Sequence, residues 1–179
     1  LAYYAGLRQG EIRALRRRDL VLNDDPHVNV SKGMQRSRRG ESIEGRGKSE
    51  AAVREVPIDR ATAKWLRDYL GDYVPSHPNA RVVFNPTTKG ELSEKSLWEG
   101  KGRWREARRT AGIPETFTFH DLRAACLTRL GLAGATNAQL MKFAVHSDVN
   151  TVMIYQRADQ DQLRDLVARR AAKLPVATA

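Results

Sequence analysis

The stretch at residues 118–130, TFHDLRAACLTRL, opens like a helix and carries two residues that packing does not require. Thr118 can cap its start, and Asp121 suits the first turn, where an acidic side chain meets the positive end of a helix. Leu122, Ala125, Cys126 and Leu130 supply an apolar stripe at helical spacing. His120 and Arg123 stand three apart, so they are neighbours on one face of the first turn and a half. Arginine cannot ligate a metal, so the pair suits an anion at a helix N-terminus.

Composition narrows which anion. The 179 residues suffice for one domain with a real core, and 31 Lys and Arg against 21 Asp and Glu leave a net charge of +10. The excess is spread along the chain, so it is not a detachable basic tail. A polyanion is the natural partner, DNA or RNA first and a membrane surface second. No apolar run approaches a membrane span and no signal peptide opens the chain. The single Cys126 cannot form an internal disulfide, which fits a reducing compartment.

The pattern along the chain is mainly helical with one β-rich region. Residues 1–20 break at Gly6 and resume as a short helix from about Gln9. Residues 26–37, PHVNVSKGMQRS, alternate weakly and predict a strand, as do 51–58, AAVREVPI, and the brief 80–84, ARVVF. Between the first two, RRGESIEGRGKSE at 38–50 is polar and glycine-containing, and reads as a hairpin or long turn region. A helix runs from Asp59 with Ala63, Leu66 and Leu70 inward, and another from about 93 to 111, stopped by Gly112 and Pro114. The His120 helix follows, then 136–145, opened by a Thr136-x-x-Gln139 capping box. Short helices at 149–157 and at about 159–173 complete the chain, the last with Leu163, Leu166 and Val167 on one side. There is no internal repeat, and only 175–179, PVATA, reads as disordered, so 1–174 is one domain.

Several polar residues remain unassigned: Arg8 after a helix break with Glu11 one turn on, Lys48 in the glycine-bearing connection, His120, Arg123, His146, and Tyr155 nine residues later. Singly, each has a plain reading as a surface pair, a solvated loop lysine, a capping histidine or a core aromatic. Their order is what informs.

In that order the set resembles the catalytic domain of the tyrosine recombinases, the phage integrase family. GLRQGEIRAL at 6–15 is similar to the family's first arginine box, which makes Arg8 its phosphate-binding arginine and Glu11 the acidic residue supporting the site. GKSEAAVREVPI at 47–58 resembles the lysine hairpin, with Lys48 ahead of Arg54 and of Val56-Pro57. HDLR is similar to the His-x-x-Arg box, giving His120 and Arg123, and VHSDVNTVMIY at 145–155 to the last box, giving His146 and the nucleophile Tyr155. Two positions depart from the family: Ala124, where histidine is frequent, and Val145, where glycine usually precedes the histidine. Valine is a poor occupant of a turn that needs positive φ, so a displaced His146 is one reading of that departure.

The resemblance implies an α+β, predominantly helical fold with a small antiparallel three-stranded sheet at one side. It implies site-specific DNA recombination or integration by an enzyme of mobile elements that needs neither metal nor cofactor. Tyr155 would attack phosphorus, Arg8 and Arg123 hold the non-bridging oxygens, His120 assist the tyrosine proton, His146 donate to a phosphate oxygen, and Lys48 protonate the leaving oxygen. Lys48 is preferred to Lys32, which falls within a predicted strand. The implied partner is double-stranded DNA, with a monomer off DNA and a homotetramer on it, in the cytoplasm of a bacterial or phage-infected cell. The last helix would dock in its own domain or on a neighbouring protomer. The family's N-terminal core-binding domain is expected to be missing from these residues. Type IB topoisomerase-like relaxation and a non-catalytic DNA-binding relative are the alternatives.

Overall fold

A computed structural model describes residues 1–37, 39, 41–46, 53–85, 87–94, 104–144, 164 and 168. They belong to two compact units, Leu1–Cys126 and Leu127–Ala179.

The first unit opens with two short helices, α1 (Ala2–Ala5) and α2 (Gln9–Ala14). Gly6 ends α1 at φ 58, ψ 22, a left-handed conformation that glycine adopts without a Cβ penalty. The break expected at Gly6 and the restart at Gln9 are therefore both present. A 3₁₀ turn (Arg17–Asp19) leads into β1 (Leu20–Val21), followed by β2 (His27–Val30), β3 (Lys32–Arg36), β4 (Ser42–Arg46) and β5 (Arg54–Pro57). The strands form an antiparallel three-stranded sheet ordered β1-β2-β5 and a two-stranded ribbon, β3-β4. Val28 and Val56 pair across β2 and β5 and are fully buried, so one face of that sheet is core.

Helix α3 (Arg60–Tyr73) buries Ala63 and Leu70, with Leu66 half-buried, on the face the sequence predicts. Asp59 caps it, accepting from the Thr62 amide at 2.8 Å and the Thr62 hydroxyl at 2.6 Å. At its other end the Arg17 guanidinium donates to the carbonyls of Leu70 (3.0 Å), which also accepts from the Val74 amide, and of Val74 (3.1 Å). Helix α4 (Trp104–Thr110) and the first half of α5 (Phe119–Leu132) share an aromatic cluster, Trp104 lying edge-on to Phe119 with centroids 5.6 Å apart.

In the second unit Leu127 and Leu140 are fully buried with Ala144, and Leu130, Ala135, Met141 and Phe143 pack against them. Helix α6 (Asn137–Ala144) opens with the expected capping box: the Thr136 amide donates to Gln139 Oε1 at 2.8 Å, and the Gln139 amide to Thr136 Oγ1 at 3.3 Å. The helices expected at 149–157 and 159–173 lie outside the described residues, apart from Arg164 and Ala168, which are helical.

Two expectations change and one is narrowed. Residues 26–37 are not one strand: Ser31 interrupts them, and β2 and β3 take different partners. Residues 38–50, expected as a hairpin or a long turn, contribute the second strand of a hairpin: Ser42–Arg46 is β4, paired antiparallel with β3 by position rather than by apolar alternation. Residues 80–84 form no strand; Arg81 and Phe84 make isolated bridges to Arg16 and Glu91.

The ribbon reaches α2 through a glycine. A Cβ on Gly10 would lie 2.5 Å from the Met34 carbonyl oxygen, a backbone atom that cannot rotate away. Gly10→Ala should therefore destabilise by about 1–3 kcal/mol despite alanine's better helix propensity. Gly71, in α3, meets nothing within 4 Å, so Gly71→Ala should instead stabilise by up to about 1 kcal/mol. Opposite shifts in melting temperature are the expected result, and equal shifts would refute the close approach.

Candidate functional site

The loop between α1 and α2 alternates in its exposure. Leu7 is 1% exposed and anchors the core, while Arg8 is half-buried with its side chain toward solvent. Arg8 also caps α2, and this organises the site. Its amide donates to Glu11 Oε2 at 2.8 Å and its Nη1 to Glu11 Oε1 at 3.2 Å, fixing backbone and side chain by one carboxylate.

Glu11 is itself held from outside the helix. Arg54, the first residue of β5, donates Nη1 to Oε1 at 3.0 Å and Nη2 to Oε2 at 3.1 Å, a two-pronged pair between side chains 8% and 10% exposed. Burial pushes the Glu11 carboxyl up, but the hydrogen bonds and charge of Arg54, then Arg8, outweigh it and leave its pKa below the usual carboxylate range. Arg54 is the residue that sequence reasoning passed over. It entered only as a spacing mark after Lys48, and nothing local links it to a glutamate 43 positions earlier.

Arg123 reaches the same place from α5. It is 2% exposed, and its Nη1 donates to the Gly6 carbonyl, one of the open carbonyls at the end of α1. This puts its guanidinium against the loop that carries Arg8, two residues further on. The start of α5 is fixed by Asp121, whose Oδ2 accepts from the Thr118 amide at 2.6 Å and the Thr118 hydroxyl at 2.8 Å. Those bonds, with the His120 charge, hold the Asp121 carboxyl below its ordinary range. The buried edge of α5 is Arg123, Cys126 and Leu127, whereas Leu122 and Ala125 of the expected stripe are half-buried. The helix is turned so that an arginine takes a core position. His120, one turn before, is exposed.

Of the seven residues singled out by sequence, the structure thus joins Arg8, Glu11 and Arg123 through Gly6 and places His120 on the same helix end. Lys48, His146 and Tyr155 lie outside the described residues. Only Ser31 separates β2 from β3, whereas residues 47–53, including Lys48, separate β4 from β5. Arg46, the last residue of β4, pairs with Lys32, and Arg54, the first of β5, pairs with Val30. Among the described residues no three His, Cys, Asp or Glu side chains are grouped to hold a metal ion, and no helix is long and apolar enough to cross a membrane.

Small antiparallel sheets, several helices and a buried arginine bonded to the helix break that carries a second arginine suit the catalytic fold of the tyrosine recombinases. The sequence profile of the phage integrase family matches residues 1–162, and the chain belongs to that family. It is 28% identical over 171 residues to a putative prophage phiRv2 integrase of Mycobacterium tuberculosis, covering 94% of this chain and 44% of that protein. It is also 28% identical over 179 residues to the tyrosine recombinase XerD of Xanthomonas campestris, covering 94% and 49%. The chain thus spans about half the length of the curated relatives it matches. Among solved structures, the Tn1549 transposon integrase in complex with circular intermediate DNA matches with a TM-score of 0.74 at 21% identity, over 94% of this chain and 57% of that one.

The Glu11–Arg54 pair makes a prediction of its own. Glu11→Gln keeps the shape but removes the charge facing a buried guanidinium, and should cost on the order of 3 kcal/mol at neutral pH. Because the folded pKa of Glu11 is depressed, its stabilisation is complete above about pH 4.3, the ordinary glutamate value, and disappears as pH falls through the folded value. The gap between wild type and Glu11→Gln in urea unfolding should therefore close in that acid window. A gap independent of pH would show that the charge is not what matters.

Proposed function

We propose that this chain cleaves and rejoins DNA strands in site-specific recombination, through a 3′-phosphotyrosine bond. The observation that carries the reading is the meeting of Arg123 with the Gly6 carbonyl, beside an Arg8 fixed by Glu11. Two permanently charged, forked donors converge on one loop, as a phosphodiester gathering charge on its non-bridging oxygens requires. Such preorganised donors are typically worth ~3 kcal/mol each in the barrier.

The remaining groups complete the chemistry. The Tyr155 oxygen attacks phosphorus and its proton passes toward His120, since an ordinary tyrosine pKa of ~10 needs help at neutral pH. The P–O5′ bond breaks as Lys48 gives its proton to the departing oxygen, while His146 donates to a phosphate oxygen. A 5′-hydroxyl from another strand then reverses each step, and because the phosphotyrosine conserves the bond energy, no nucleotide is consumed. Lys32, the other lysine of this region, already donates to Glu44 at 3.0 Å, which favours Lys48 as the acid. Strand exchange joins two duplexes through four cleavages, which a cyclic tetramer on DNA supplies. Double-stranded DNA in a bacterial or phage-infected cytoplasm is the substrate. The relatives' names and the DNA complex of the Tn1549 integrase support this reading.

Tyr155→Phe keeps the ring and deletes the nucleophilic oxygen. On a nicked suicide duplex it should bind but form no covalent adduct, and an undiminished adduct would move the nucleophile elsewhere.

Lys48→Ala should cleave normal DNA slowly and recover with a 5′-bridging sulfur, because a thiol of pKa ~8.5 leaves without a proton. Arg8→Ala should not recover. Rescue of Lys32→Ala in place of Lys48→Ala would put the general acid on β3.

A further inference from the structure

A second concentration of positive charge lies at the other end of α2. Glu44 on β4 accepts from Arg16 Nη2 at 2.9 and 3.2 Å, from Lys32 Nζ at 3.0 Å and from Arg81 Nη2 at 3.1 Å. Burial pushes the Glu44 carboxyl up, but the Lys32 hydrogen bond and the charges of Arg16, Lys32 and Arg81 hold it below the ordinary range, so it is ionised at neutral pH. One negative charge faces three positive ones, and the surplus is unneutralised within the group.

Fastening the β3-β4 ribbon accounts for two of the cations only. Arg16 also donates to the Asn79 carbonyl at 3.1 Å, and Arg81 to the Arg13 carbonyl at 3.1 Å, so each ties β4 to another part of the unit. Lys32 ties nothing new. It is on β3, already paired with β4, and meets Glu44 diagonally across the ladder, where Met34 is the residue opposite. Its side chain is the most open of the four, at 41% exposure, and one acceptor leaves ammonium donors facing solvent. Arg81 also lines a cavity of about 410 Å³ with His77 and Lys89, which extends the basic surface.

We propose that Lys32, Arg16 and Arg81 form a phosphate subsite for the DNA backbone, separate from the cleavage site, with Glu44 holding the cations together until DNA arrives. This rests on the reading that the chain binds double-stranded DNA. Arg8 caps one end of α2 and Arg16 lies two residues past the other. The six helical residues between them rise ~9 Å, comparable to the axial rise of roughly two to three nucleotides of a duplex. The subsite would hold a backbone phosphate near the one at Arg8. Lys32 exchanges its carboxylate partner for a phosphate oxygen, and the surplus charge is met by an anion.

The test is salt-dependent binding of the full chain to a short duplex, followed by fluorescence anisotropy, beside wild type and Arg8→Ala. Lys32→Ala should keep the wild-type melting temperature, weaken binding, and reduce the slope of log K against log salt by about 0.9, one phosphate's worth. The reduction should appear equally in the Arg8→Ala background, because the two sites are distinct. Glu44→Gln removes the competing anion and should tighten binding several-fold at low salt, and circular dichroism checks that it is folded. An unchanged slope in Lys32→Ala, or weaker binding by folded Glu44→Gln, would overturn the subsite while leaving DNA binding intact. A wild-type response flat in salt would instead sink the DNA-binding reading, and the subsite with it.

Discussion

The Glu11 carboxylate is the point on which the described site depends. It is buried, so its charge has to be matched within the fold, and Arg54 matches it with two parallel bonds. Because Glu11 is on α2 and Arg54 opens β5, the charge requirement sets how helix and sheet stand together. The same carboxylate takes the amide and guanidinium of Arg8, so the geometry of Arg8 follows from it. A buried pair of this kind is a costly way to gain stability, but it ties a polar side chain to one position.

Arg123 extends the logic across the unit. A guanidinium at 2% exposure, bonded to a carbonyl at the end of α1, has been withdrawn from bulk water before any ligand arrives. Interactions with a developing anion are stronger from such a position than from a solvated surface, and they require no reorganisation at the moment of reaction. Gly6 permits this: its left-handed turn ends α1 and leaves its carbonyl to the arginine. Arg17 makes a related contact at the end of α3, where it donates to the carbonyls of Leu70 and Val74.

The net charge of +10 is thus not a uniform coat. Some of it is consumed in ion pairs that build the unit, such as the buried Arg13 with Glu91 and the half-exposed Arg16 with Glu44. Among the described residues cations also outnumber the carboxylate they face, as Arg16, Lys32 and Arg81 do around Glu44. Charge counted along a chain cannot separate the two uses, since both need the same residue types.

The sequence by itself determined the family, the helix break at Gly6, the faces of α3, the box that opens α6, and the order of the polar boxes. Each is a local pattern: a glycine that alone tolerates positive φ, an apolar period of a helix, or a cap three residues from its partner. Tertiary structure decided that Arg54 is Glu11's partner, that Ser42–Arg46 is a strand, and that Arg123 rather than Leu122 faces the core. These depend on which distant groups come within reach once burial has raised the cost of an unmatched charge. That cost is set by the dielectric of the folded interior, which no window of the sequence contains.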